Sequence, residues 1–408
     1  MISDDIKKTL AFIDRKMTYP KNHKIEGASA NPEVVMDGKK VFMFSSNNYL
    51  GLASDKRIKE KVIEAIHMYG MGSGGSRLVS GNIDIQEELE SKISDFKKTE
   101  ASITLATGYM VNTGIIPALL WPPITTASGY IKEKFLLGEK VAVFSDELNH
   151  ASIVDGVRLT KKVDRVKYLH KDIKNLEKEI RKRKNFDRKL IITDGVFSMD
   201  GDIAPLKQIM EIAKEYNASV MVDDAHATGI LGENGRGTVE HFQLKDTPEI
   251  LMGTFTKVFG GIGGFVGGDK DLIKYLKVTV RPYIFSAPIP PAIVAGIIEA
   301  IDIVKNEPER RLKLWENVNY LRDKLNKKEF NTLSSETQII PIYIGDEQKT
   351  IRASERLLEL GFFVSMVRWP AVAHGSGRLR LTVMSTHSKE QIDILIDALI
   401  KVRNEINF

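Results

Sequence analysis

The chain contains no cysteine in its 408 residues, which excludes disulfide bridges, thiolate metal sites and thiol nucleophiles together. Long apolar runs are missing as well. The longest, such as "VAVF" at 141–144, are strand-sized, and none approaches the roughly 20 apolar residues that a membrane-spanning helix needs. The opening "MISDDIKKTLAFIDRKM" lacks the apolar block of a signal peptide, so the expectation is a cytoplasmic protein. A large excess of one charge is also absent: the net charge is +5, although a pI of about 8.9 suits an anionic substrate. The basic run "RKRKNFDRK" at 181–189 lacks the regular aromatic interleaving that stacks on bases. It reads as the solvated end of the helix "DIKNLEKEIRKRK", which leaves nucleic-acid binding a distant expectation.

What is present is an ordinary globular composition, 42% hydrophobic and 28% charged, in a chain long enough for two or three domains. Between about residues 100 and 270, short β-branched runs alternate with amphipathic helical patterns. The runs are "ASITLATG", "KVAVFSDE", "DRVKYLH", "KLIITDGVF", "ASVMVDDAH" and "EILMGTFT", and "PLKQIMEIAKEY" is one of the helices. Such alternation predicts an α/β fold with a mainly parallel sheet flanked by helices. Ligands collect beyond the carboxyl ends of the strands in these sheets. Thr107, Asp146, Ser198, Asp223, His226, Thr254 and Lys257 all fall there. After about residue 290, long helices and a few strand-like runs, "QIIPIYIG" among them, predict a smaller α+β domain.

The stretch "VDDAHATG" at 222–229 places two aspartates and a histidine at the end of a buried strand, and buried carboxylates need something positive opposite them. Lys257, in "GTFTKVFGGIGG", follows Asp223 at about the spacing of strand, crossover and strand, so both can share one sheet edge. A lysine that forms a Schiff base with pyridoxal phosphate meets that need. The cofactor's pyridine nitrogen must stay protonated, and a buried carboxylate holds the proton. Taken singly, Asp223 reads as a helix-capping residue, His226 as a satisfied core histidine and Lys257 as a snorkelling surface lysine. Their company favours the cofactor reading.

The strings "SSNNYLGLA", "GSGGSRLVSG", "TGYMVNTG", "DELNHASIVDG", "DGVFSMDGDIAPL", "VDDAHATGILGENGRGT", "TFTKVFGGIGG", "FSAPIPP" and "GRLRLTVMSTHSKEQID" follow one another from about residue 41 to 395. In that order they resemble the α-oxoamine synthases, pyridoxal-phosphate enzymes of the fold type I aminotransferase superfamily. The resemblance implies an N-terminal arm belonging with the small domain (1–45), a large cofactor-binding domain (46–290) and a C-terminal small domain (291–408). It implies Lys257 as the Schiff-base lysine, Asp223 as partner of the pyridine nitrogen, and His226 as partner of the phenolic oxygen, holding it ionised. His150 is implied as the imidazole stacked on the ring, with a helix cap as its bland alternative. Gly108 and Tyr109 would offer helix N-terminal N–H groups to the phosphate. Thr254 and Ser198 would contact the phosphate and phenolic oxygens, and Ser286 the phosphate of the partner subunit. Asn47 and Arg380 would hold the amino-acid carboxylate, because an arginine fork takes a carboxylate bidentately. Arg378 reads as a structural ion pair, and Ser76 and Arg77 fall on the acyl-substrate side.

The implied activity is the condensation of an amino acid with an acyl thioester of coenzyme A or acyl carrier protein, usually decarboxylating, to an α-amino ketone. A homodimer with an interfacial site comes with it. Alanine with a long dicarboxylic thioester, glycine with acetyl-CoA, and serine or alanine with a fatty acyl thioester stay open. So do an aminotransferase, which would share Asp223 and Lys257, and a non-catalytic partner subunit, which should have lost the lysine. The sequence departs from the family pattern at Gln86, where a histidine is usual, at Ala287, at "PAVAHG" (370–375), and in an extra segment around 121–140.

Overall fold

The alternating runs fold into three sheets in a computed structural model that describes residues 2–16, 22–120 and 139–408. An N-terminal antiparallel ribbon comprises β1 (Ile25–Glu26), β2 (Glu33–Met36) and β3 (Lys39–Met43). The central sheet comprises β4 (Ala101–Leu105), β5 (Val141–Asp146), β6 (Asp164–Tyr168), β7 (Arg188–Asp194), β8 (Ser219–Asp223), β9 (Ile250–Thr254) and β10 (Gly264–Gly268). Its order is β4-β10-β9-β8-β7-β5-β6, with β5 to β9 parallel and β10 antiparallel to both neighbours. The C-terminal part adds β11 (Ile339–Gly345), β12 (Phe362–Phe363), β13 (Ser365–Val367) and β14 (Gly377–Thr382). β12 pairs in parallel with β3, which ties the residues before 45 to the C-terminal part of the chain.

The parallel strands are apolar on both faces, as a sheet covered on both sides requires. Alternate residues divide cleanly: Val141, Val143, Leu190, Ile192, Met221 and Met252 pack with Val111 and Ile115 of the helix Gly108–Leu120. Ala142, Phe144, Ile191, Val220, Val222 and Leu251 pack with Leu176, Ile209 and Ile212 of helices on the opposite face. Each fully buried side chain of this size contributes about 1.5–3 kcal/mol, so the two faces together fix the sheet.

β10 is the strand that the sequence pattern hides. Its residues "GFVGG" look like a continuation of the glycine-rich turn, because glycine weakens a strand. A Cβ on Gly264 would stand 2.8 Å from Gly108 Cα, so the bare backbone lets the helix beginning at Gly108 settle directly on the sheet. The extra segment around 121–140 falls almost wholly outside the described residues. Among the described residues, no helix is long and apolar enough to cross a membrane.

The second aspartate of "VDDAHATG" has a structural role. Asp224 is fully buried and accepts from Lys97 Nζ at 3.0 Å, Thr238 N at 3.1 Å and Thr238 Oγ1 at 2.7 Å. Gly237, at φ 107°, leaves room for that carboxylate, since a Cβ there would lie 2.0 Å from Asp224 Oδ2. Replacing Lys97 by methionine strands the buried charge, and urea unfolding should show a loss of about 3–5 kcal/mol. The double variant Lys97→Met/Asp224→Asn should recover part of that loss.

Candidate active site

Parallel strands present their carboxyl ends to one edge of the sheet, and the side chains expected at those ends surround a cavity of about 210 Å³. Thr107, Gly108, Tyr109, His150, Ser198, Asp223, His226, Thr254 and Lys257 all line it. Asp146, also at a strand end, does not: its carboxylate accepts from His170 Nδ1 at 3.0 Å and from the N–H of Lys171 at 2.9 Å. Burial would lower the pKa of His170, yet hydrogen bonds to Asp146 and Asp202 raise it to about 9, so this cluster is a charged brace beside the site.

Asp223 closes one end of the cavity. It is 4% exposed, and its oxygens accept from Asn112 Nδ2 at 2.8 Å and from the N–H of Ala225 at 3.0 Å. Asn112 was not anticipated from the sequence. It lies one helical turn after Gly108, on the face that meets β8, and its own Oδ1 is buried without a hydrogen-bond partner. Asp194 was also missed. It stands in register with Asp223 on the neighbouring strand and accepts from the N–H of His150 at 2.8 Å. Burial, reinforced by the charge of Asp223, pushes the Asp194 carboxyl well above the usual carboxylate range.

Lys257 follows β9 and lines the cavity from the adjacent strand end. Burial brings its pKa down to about 8; Asp223 opposes that shift and Arg380 assists it. A substantial fraction of the amine is therefore neutral and nucleophilic near neutral pH. At the other end, Thr107 caps the helix Gly108–Leu120: its Oγ1 accepts from Met110 N at 3.1 Å and its carbonyl from Val111 N at 3.1 Å. The N–H groups of Gly108 and Tyr109 are left over for a ligand, at the positive end of the helix dipole. A Cβ on Gly108 would sit 3.3 Å from Thr254 Oγ1, so the glycine keeps this cradle open. Thr254 Oγ1 itself bonds to Gly263 O at 2.7 Å and lies 3.1 Å from Thr256 Oγ1, so the local backbone bond and the cavity position coexist.

The two histidines occupy different settings. His150 caps the helix Ala151–Arg158 through Nδ1, 3.3 Å from Ser152 N and 2.7 Å from Ser152 Oγ, while its ring borders the cavity. Burial lowers its pKa against the opposing charge of Asp223. His226 is 6% exposed, and its Nδ1 lies 2.7 Å from the hydroxyl of Tyr49, a third residue that the sequence did not single out. Burial drives its pKa well below 6.5.

Beyond Lys257 a wider opening of about 690 Å³ is shared by Asn47, Ser198, His226, Lys257 and Arg380. Its far wall is largely apolar, with Ile13, Met366, Val367, Trp369 and Pro370. Arg380 Nε donates to Ser198 O at 2.5 Å and Nη2 to Asn47 Oδ1 at 3.3 Å. Arg378, two residues earlier on β14, is ion-paired with Asp200. Ser76, Arg77 and Ser286 line neither opening within the chain. Arg77 is 4% exposed and pairs with Glu90 at 2.8 Å and Asn82 at 2.7 Å, while its guanidinium lies over the ring of Tyr283. Gln86 is buried and donates to Ile289 O at 2.6 Å, a tether for the segment that carries Ser286.

These groups suit pyridoxal phosphate. A partly neutral amine, a buried carboxylate and a glycine-opened helix N-terminus surround one cavity, which is the donor set that an aldehyde, a pyridine nitrogen and a phosphate require.

Known proteins resemble this chain over most of its length. A family model for aminotransferase class I and II matches residues 39–399. Over 374 residues the chain is 46% identical to the 8-amino-7-oxononanoate synthase of Lysinibacillus sphaericus, covering 92% of each protein. Among solved structures it is similar to serine palmitoyltransferase from S. paucimobilis with a bound PLP–myriocin aldimine. The TM-score there is 0.89, with 30% identity over 98% of this chain and 97% of that one. It is also similar to 8-amino-7-oxononanoate synthase from Francisella tularensis, at a TM-score of 0.74 and 25% identity over 90% and 98% of the respective chains. The chain belongs to the aminotransferase class I and II family and, within it, to the α-oxoamine synthases, which are pyridoxal-phosphate-dependent acyltransferases.

Proposed function

We propose that the chain condenses alanine with a seven-carbon dicarboxylic acyl thioester, releasing the thiol and carbon dioxide and forming 8-amino-7-oxononanoate. The carbon count follows from the product. Its carbons 8 and 9 with the amine are alanine less its carboxylate, and its carbons 1 to 7 are the acyl unit. The observation that carries this reading is the meeting of Lys257 and Asp223 in one cavity, in a chain 46% identical to a protein of that name. The apolar wall of Met366, Val367, Trp369, Pro370 and Ile13 suits the methylenes of the acyl unit.

Pyridoxal phosphate, when bound, supplies an aldehyde that condenses with amines and a protonated ring that takes up the electron pair left on the amino-acid α-carbon. Asp223 would hold the proton at the ring nitrogen, with Asn112 and the Ala225 N–H orienting the carboxylate. Gly108, Tyr109 and Thr254 would hold the phosphate, and the flat ring of His150 would cover one face. Asn47 and Arg380 would dock the alanine carboxylate. Lys257, freed by the incoming amine, would remove the α-proton, a task suited to a pKa near the working pH. Ser198 and His226 would face the phenolic oxygen.

Residues 46–290 would form the cofactor-binding domain and 1–45 with 291–408 the unit that closes over it. The separation of Ser76, Arg77 and Ser286 from the cavity supports a homodimer in which a second copy brings such residues to the site. The thioester carrier would be coenzyme A or acyl carrier protein.

Thiol and carbon dioxide release from alanine and the seven-carbon dicarboxylic thioester should exceed release from glycine with acetyl-CoA or serine with palmitoyl-CoA. Lys257→Ala should lower turnover by roughly 10²–10⁴-fold or more and abolish the visible absorbance of the holoenzyme. Preferential use of either control pair would overturn the substrate assignment. The rate at which cofactor-free protein takes up pyridoxal phosphate, followed by absorbance, should rise with pH and level off above about 8, because only the neutral Lys257 amine attacks the aldehyde. Arg380→Lys should raise the KM for alanine by roughly 10- to 100-fold, the loss of a charged bidentate contact, measured by steady-state kinetics.

A further inference from the structure

Tyr49, His226, Asn47 and Arg380 form a chain of contacts beside the cavity. The Tyr49 hydroxyl lies 2.7 Å from His226 Nδ1 and 2.9 Å from Asn47 Oδ1, and Arg380 Nη2 donates to that same Asn47 oxygen at 3.3 Å. The order of protons along it can be worked out. A guanidinium has only donors, so Arg380 fixes the amide oxygen of Asn47, and not its NH₂, on this side. Tyr49 has one proton to give. Given to His226 Nδ1, it would leave two acceptor oxygens facing each other at 2.9 Å inside the protein. Given to Asn47 Oδ1, it leaves the hydroxyl oxygen, on which Gln338 and Arg380 also act as donors, able to accept from His226 Nδ1–H. Only the second arrangement satisfies both contacts, and a buried polar contact left unmet is unfavourable.

We propose that Tyr49 is a positioning residue that sets the tautomer of His226, holding its proton on Nδ1 and presenting Nε2 to the cavity as a hydrogen-bond acceptor. The protonation states agree. Burial raises the pKa of the Tyr49 phenol, with the charge of Arg380 opposing, and burial keeps the His226 imidazole neutral. A neutral imidazole carries one N–H, so committing it to Tyr49 empties Nε2. No protein group bonds to Nε2 among the described residues, and the ring lines both openings. The backbone of His226 is held as well, its carbonyl accepting from Gln338 Nε2 at 2.9 Å.

The catalytic meaning rests on the function proposed above. His226 Nε2 would then accept a hydrogen bond from the phenolic group of the cofactor, where the family resemblance implies that His226 holds an ionised oxygen. The chain also links the two ends of the site. A carboxylate docked on Arg380 competes for its Nη2 and leaves Asn47 Oδ1 a better acceptor for Tyr49, which in turn becomes a better acceptor for His226 and makes Nε2 more basic.

The test is a long-range ¹H–¹⁵N correlation spectrum of histidine-labelled, cofactor-free protein, with the His226 signals identified by their loss in His226→Gln. Wild type should show a protonated Nδ1 and an unprotonated Nε2. Tyr49→Phe, which removes only the acceptor hydroxyl, should move the proton to Nε2 in all or part of the population. A proton on Nε2 in wild type overturns the proposal without reference to any variant, and an unchanged tautomer in Tyr49→Phe overturns it too. Neither result depends on whether the condensation is detected. In the holoenzyme, Tyr49→Phe should lower kcat about tenfold while changing the KM for alanine by no more than about twofold, the signature of a lost hydrogen bond outside ground-state binding. A raised KM at unchanged kcat would place Tyr49 in carboxylate binding and overturn the positioning role.

Discussion

The burial of negative charge at the end of β8 is the constraint around which the site is arranged. Asp223 and Asp224 are consecutive, and both are nearly inaccessible to water, a situation that costs several kcal/mol per unpaired ion. They are relieved in opposite directions. Asp224 turns to a resident cation, Lys97, and becomes part of the scaffold. Asp223 turns to the cavity, where Asn112 and one backbone N–H orient it and the nearby positive charge is the amine of Lys257. Its electrostatic need is thus met by groups that line the same cavity.

Several features follow from that choice. Asp194 stands in register with Asp223, and burial together with that neighbour's charge disfavours its ionised form, while its carboxyl holds the His150 N–H. Lys257 feels two opposed influences. Burial and Arg380 lower its pKa while Asp223 raises it, and the balance near 8 gives an amine that can be neutral or charged at working pH. The charge of Arg380 thus adds to burial in lowering the pKa of Lys257.

Much of this was legible in the sequence. All six β-branched runs between 100 and 270 became strands of one sheet, and the lysine, aspartate and histidine spacing put those side chains at one edge, because period and crossover length are local properties of the chain. β10 was not legible, since its glycines are explained only by tertiary neighbours: Gly264 by the helix that begins at Gly108, Gly267 by Thr99 and Gly268 by Leu272. Asn112, Asp194 and Tyr49 escaped for a related reason. Each acts through a partner 30 or more residues away in sequence, and nothing in its immediate neighbours distinguishes it from an ordinary core polar residue. Arg77 is the converse case. Its glycine-rich surroundings suggested a substrate contact, and within the chain its guanidinium is occupied by Glu90 and Asn82.

The pairing of β3 with β12 ties the two ends of the chain together beside the site. β3 leads directly into Asn47 and Tyr49, while β14 carries Arg380 and the segment after β12 carries Met366 and Trp369. Residues from both ends of the chain that line the wider opening are joined through β3–β12 and the bond from Thr382 N to Phe44 O, apart from the central sheet that carries Asp223. His226 and Ser198 are where the two meet, the first through Tyr49 and the second through Arg380. Arg380 is therefore connected to the groups at the strand ends by hydrogen-bonded contacts, directly to Ser198 O and through Asn47 and Tyr49 to His226.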